Sequence, residues 1–237
     1  MAESIYPILE NVLWNYAALI FFISVWVGYS YFAKYMAKRT HCLASVLDLH
    51  RVSWMERMML RDNRIGDAAL LANLERNVNF MASTTVIIVA AVLTALSSSN
   101  WKWLDDIGSD FNHYKLGLIL FIMVYAFFCF TWSLRQYGFG SVLVGASPMP
   151  DQEEFNARQR KEYAYSTGKI LDQAGHAFNY GLRAYYFAMA SLAWFVHPIL
   201  FILSTLTVVF VLYRREFSSK ALKLLVMDAD ILEGKIK

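Results

Sequence analysis

Charge is what this chain has least of. Only 17% of its 237 residues are Asp, Glu, Lys or Arg, and 57% are hydrophobic; a soluble domain carries about 25% charged residues. Residues 12–32, 80–96, 116–132 and 185–213 contain no charged side chain at all. An ordinary soluble globular chain is therefore excluded. Cysteine is nearly absent too: Cys42 and Cys129 are the two present, which excludes a disulfide framework. No Pro/Gly/Ser linker, low-complexity tract or clear internal repeat divides the sequence, so residues 1–237 read as one membrane domain. The nucleotide-binding loop Gly-x-x-x-x-Gly-Lys-Ser/Thr is missing, as are Gly-x-Gly-x-x-Gly after a strand, His-Glu-x-x-His and the Gly-x-Ser-x-Gly elbow. Nothing therefore points to a nucleotide, a dinucleotide, a catalytic zinc or a serine nucleophile. No cofactor, metal or catalytic residue is expected.

What is present is apolar length. A hydrocarbon core of about 30 Å needs about 20 apolar residues in a helix. The four uncharged stretches are accordingly four expected transmembrane helices, and the fold class is all-α, a polytopic helical membrane protein. The first is not a secretory signal, because its leader carries Glu3 and Glu10 and no basic residue. It reads as an uncleaved span with the N-terminus outside. Lys34, Lys38, Arg39, Arg51, Arg57, Arg61, Arg64 and Arg76 follow it, whereas Lys102 stands with Asp105, Asp106 and Asp110 after the second stretch. The positive-inside rule puts the first connection in the cytosol and the second outside. Arg135 and the basic residues to Arg183 return to the cytosol. Arg214, Arg215, Lys220 and Lys223 then conflict with a fourth full crossing. Three arrangements resolve this: a re-entrant dip at His197-Pro198, a fifth span formed by the preceding polar segment, or a tail that disobeys the rule. The third, with 185–213 as one kinked or tilted span, is taken as the working expectation.

Two polar segments, near 41–79 and 151–183, read as cytosolic amphipathic helices. In the first, Arg64 and Asp67 lie within pairing range, and Asp67 and Asn77 fall on one helical face. In the second, Lys169, Asp172, His176, Asn179 and Arg183 recur at spacings of 3, 4, 3 and 4 and form one stripe. Small residues from Gly168 to Gly181 accompany it and allow another helix to approach closely. Asp172 and His176 at i, i+4 favour a hydrogen bond that orients the imidazole over a metal site, since two ligands are not a site. His197, beside Pro198 in the last apolar stretch, is an ionisable residue expected at membrane depth.

Several of these stretches together resemble a bacterial family known only as domain of unknown function 599. The residues that carry the resemblance are Arg61-Asp62-Asn63-Arg64-Ile65 with Asp67, Asn73-Leu74 and Arg76, Ala82-Ser83-Thr84-Thr85, Arg135-Gln136-Tyr137, Gly181-Leu182-Arg183-Ala184-Tyr185-Tyr186-Phe187 and Arg214-Arg215-Glu216-Phe217. The resemblance implies a small helical integral protein of the bacterial inner membrane and supplies no activity.

The expected function is a channel- or transporter-like protein for a small solute or ion. Its polar pathway is expected to involve Arg64, Asp67, Asn77, Asp172, His176, Asn179, Arg183 and His197. The competing class is a non-catalytic membrane scaffold or partner-binding protein. Expected partners are the lipid bilayer, including anionic lipids at the basic clusters, and further copies of the chain through the small-residue helix; nucleic acid is not among them.

Overall fold

The computed structural model describes residues 6–37, 39–97 and 112–232, and these are helical with no strand among them. In chain order the α-helices are α1 (Tyr6–Met36), α2 (Leu43–Met58), α3 (Ile65–Ser97), α4 (Asn112–Gly145), α5 (Ala157–Leu192), α6 (Pro198–Phe217) and α7 (Lys220–Leu232). Four segments are long and apolar enough to cross a membrane: Val12–Met36, Ile65–Ser97, Asn112–Gly145 and Pro198–Leu232. The expected all-α membrane architecture is therefore what the chain adopts.

Local chemistry sets the helix boundaries. At α2, the Cys42 thiol accepts the Ser45 N–H and the Ser45 hydroxyl accepts the Cys42 N–H. At α5, Asn156 and Gln159 make the same reciprocal pair at 2.9 Å each. Each box satisfies backbone donors that a helix start leaves open. The acidic residues Asp151, Glu153 and Glu154 lie just before α5 rather than in its first turn.

The apolar stretch at 185–213 is two helices, not one kinked span. α5 ends at Leu192, Ala193–Phe195 form one 3-10 turn, and α6 starts at Pro198. The reason is Pro198. It lacks an N–H, which costs nothing in a first turn, and it drives the residue before it out of helical geometry. His197 is accordingly extended, at φ −162° and ψ 141°, and its Nδ1 accepts the Ile199 N–H at 3.2 Å. His197 thus caps α6 at an exposed turn.

α5 and α6 run antiparallel. Ser204 donates to the Ala190 carbonyl, Arg215 reaches the Tyr186 hydroxyl, and Arg183 meets Glu216. α5 also lies along α4, its most extensive partner. Lys115 stands over the rings of Trp194 and Phe195, and Ser133 donates to the Ala174 carbonyl at 2.7 Å. From Ala174 to Phe195 is about 30 Å of helix, one hydrocarbon thickness. α5 therefore accompanies the apolar helices over their full apolar length, and Met189 and Leu192 there face outward. The core at this level is aromatic. Phe22 meets Phe187 and Phe201 at centroid distances of 5.7 and 4.9 Å, and Trp194 stacks on Phe201 at 5.0 Å. The indole of Trp194 donates to Asn15 Oδ1 at 2.7 Å.

The small-residue face of α5 is occupied by its own chain. A Cβ at Gly168 would come within 2.8 Å of the Val52 backbone, at Gly175 within 2.4 Å of the Arg51 guanidinium, and at Gly181 within 2.5 Å of the Phe130 ring. Those glycines admit α2 and α4, so the face that suggested self-association is filled intramolecularly.

Two outcomes follow from this packing. Single cysteines at Asp62 and Ser219, in a background lacking Cys42 and Cys129, will react with an impermeant maleimide from one side of the membrane, and one at His197 from the other. Labelling of His197→Cys from the Asp62 side would show that α5 does not cross. Gly168→Ala will lower the thermal stability in detergent by about 1–3 kcal/mol through overpacking. Gly117→Ala, where nothing lies within 4 Å, will be near neutral; equal melting temperatures would mean that α2 retreats without cost.

Candidate functional site

A cavity of about 570 Å³ opens where α1 ends and α2 begins. The α5 stripe forms one wall through Asp172, His176, Asn179 and Arg183. Lys34 comes from α1, Asp48 from α2, Gln136 from α4 and Glu216 from α6. The stripe thus lines a half-open cavity whose wall mixes polar and apolar side chains. Arg183 lies about 14 Å further along α5 than Ala174.

Charges in this wall are paired. Arg183 Nη2 donates to Glu216 Oε2 at 2.5 Å, with the two side chains only 13% and 16% exposed. The Arg183 guanidinium also stands 5.7 Å from the ring centres of Tyr29 and Tyr180, a contact that suits a poorly hydrated, delocalised cation. Nearer the mouth, Asp172 is shared. Its Oδ1 accepts from Arg51 at 2.6 Å, and its Oδ2 lies 3.1 Å from His176 Nε2. The expected Asp172–His176 contact is therefore present, with Arg51 added. Burial pushes the Asp172 carboxyl up, but the hydrogen bond and charge of His176, together with Arg51, outweigh it and hold the carboxyl below the usual range. Asp48 Oδ2 accepts from Lys169 at 2.5 Å, and that hydrogen bond holds the Lys169 ammonium above its ordinary value against partial burial.

The other residues singled out in the sequence lie elsewhere. Arg64 does not pair with Asp67; it donates to the carbonyls of Ser147 and Pro148 and to the Ser147 hydroxyl, tying α3 to the end of α4. Asp67 is buried and accepts from Trp54 at 2.7 Å and Arg61 at 2.5 Å. Asn77 is exposed on α3, away from the cavity. Arg64 and Asp67 are struts of the polar end of the bundle, and His197 is at the opposite end. Among the described residues, no three His, Cys, Asp or Glu side chains come together as metal ligands.

Sequence reasoning missed Glu216, Asp48, Arg51, Lys34 and Gln136. One signal was available. Asp48 and Arg51 stand one turn apart on α2, and Lys169 and Asp172 one turn apart on α5, with complementary signs. The Arg183–Glu216 pair had no local signal, since its partners lie on different helices.

Helices of membrane-spanning length around a lined polar cavity define a polytopic helical membrane protein. The chain belongs to the DUF599 family of proteins of unknown function, whose pattern matches residues 17–221. No curated protein and no solved structure matches it.

Removing either partner of the Arg183–Glu216 pair strands a charge. Arg183→Met and Glu216→Met singly will each destabilise the detergent-solubilised protein by about 3–5 kcal/mol, and the double variant will recover most of that loss. A double-mutant cycle with simply additive losses would show that the two are not coupled.

Proposed function

We propose that this chain is a membrane transport protein, of channel or transporter type, for a small polar solute or ion. One observation carries this reading: the α5 stripe lines a cavity that also holds a buried ion pair. Polar groups on a membrane-spanning helix are costly unless they line an aqueous space or one another. The basic residues around Lys34, Arg51, Arg135 and Arg214 gather at the open end, so the positive-inside rule makes the cavity face the cytosol. With α5 as a further crossing, the C-terminal Arg214, Arg215, Lys220 and Lys223 also come to lie inside. Beyond Arg183, the cluster of Phe22, Phe187, Phe201 and Trp194 closes the way outward. The molecule is then in an inward-open form, and the aromatic cluster is the outer barrier that has to move. The multi-pass setting is that of a bacterial inner membrane, with the basic cytosolic end against anionic lipid headgroups.

A second reading rests on a different surface. Leu224, Met227 and Ile231 form an exposed apolar stripe on α7, which suits a scaffold that binds another protein.

The test is solute flux in proteoliposomes over a broad panel of ions and small polar solutes. Wild type will exceed protein-free vesicles for at least one solute. His176→Ala will lower that rate by about tenfold, the effect of 1.4 kcal/mol on a barrier. Wild-type flux equal to empty vesicles across the panel would remove the transport reading and leave the scaffold.

A further inference from the structure

Three ion pairs in and around the cavity cancel one another: Arg51 with Asp172, Lys169 with Asp48 and Arg183 with Glu216. Lys34 also lines the cavity, and no described carboxylate lies within ion-pair distance of it. The wall therefore holds one uncompensated cation, which calls for an anionic group. It also holds orphaned acceptors. Asp48 Oδ1 and Gln136 Oε1 are buried and accept no hydrogen bond from a described residue, and Gln136 is only 6% exposed. A buried acceptor left unpaired costs about 1–3 kcal/mol, so a solute whose binding turns these side chains toward its donor gains. Asp48 is also a carboxylate, with one oxygen on Lys169 and the other unused.

From these two complementary deficits we infer that the cavity takes a small zwitterion, with an N–H-bearing cationic group and an anionic group on the same molecule. The inference rests on the transport reading and names its solute class. A simple anion would meet Lys34 and leave both acceptors unpaired. A simple amine would meet the acceptors but add a cation to a wall that already has one in excess. A neutral polyol would leave Lys34 without a counter-charge. An ammonium carries three N–H donors, so one group can serve more than one orphaned oxygen, while a carboxylate at the other end meets Lys34. The cavity volume of about 570 Å³ leaves room for more than the smallest such molecule.

The experiment measures binding to the full chain in nanodiscs by calorimetry, with Trp132 fluorescence as a second readout because that side chain also lines the cavity. The probes are unbranched ω-amino acids from glycine to 6-aminohexanoate, the monocarboxylates and monoamines of the same lengths, and the N-trimethylated ω-amino acids, which lack N–H. At one chain length the ω-amino acid will bind at least about tenfold tighter than each of its three counterparts. Lys34→Gln, at an exposed position, will erase its advantage over the monoamine. Gln136→Leu will erase its advantage over the trimethylated form. A monocarboxylate or monoamine that binds wild type as tightly as the zwitterion would overturn the inference, as would failure of every ω-amino acid to bind. Flux of a solute of another class, sensitive to His176→Ala, would discard the zwitterion and keep transport. Zwitterion binding without flux in vesicles would keep the site and discard transport.

Discussion

A guanidinium cannot lie bare inside an apolar bundle, and Arg183 is the point on which this architecture turns. It sits on a helix flanked by apolar helices and lines the cavity, with its side chain largely buried. Glu216 and the rings of Tyr29 and Tyr180 make its position tolerable. That requirement fixes much else. α6 must return antiparallel to α5 to deliver Glu216, so the chain must turn back at its other end, where Pro198 and the His197 cap make the turn. α1 must pack against both to bring Tyr29, and it does so through Phe22 between Phe187 and Phe201.

The apolar half of the fold was legible because hydrocarbon imposes a length. The stretch at 80–96 is the apolar part of α3, and 116–132 is the centre of α4. The break at 193–197 was less so. An uninterrupted apolar run of 29 residues looks like one long span, and only the backbone consequence of Pro198 on His197 divides it. α5 was the hardest to read. Its stripe of Asp172, His176, Asn179 and Arg183 gives it the signature of a surface helix, yet its small residues pack it against α2 and α4. Periodicity was right about which residues share a face, but periodicity does not say what the face looks at.

The candidate site divides along the same line. Asp172, His176, Asn179 and Arg183 were legible because one helix carries them at fixed spacing. Their partners were not. Asp48 and Arg51 meet α5 from 121 residues away, and Glu216 meets Arg183 across 33. Arg64 and Asp67 failed to pair for a competing reason: each found a better-placed partner, Arg64 in the carbonyls at the end of α4 and Asp67 in Trp54 and Arg61. Ion pairs between adjacent turns are weak, and tertiary donors outbid them.

The central claim is that the polar face of α5 borders water that enters from one side only. Thiol accessibility at Asn179 tests it most directly. In a chain without Cys42 and Cys129, Asn179→Cys should react with a small impermeant thiol reagent from the side of the α2 segment and not from the other, while Met189→Cys, on the outer face of α5, should stay unreactive from both. An Asn179→Cys as inert as Met189→Cys, or one that reacts from the His197 side, would contradict the account.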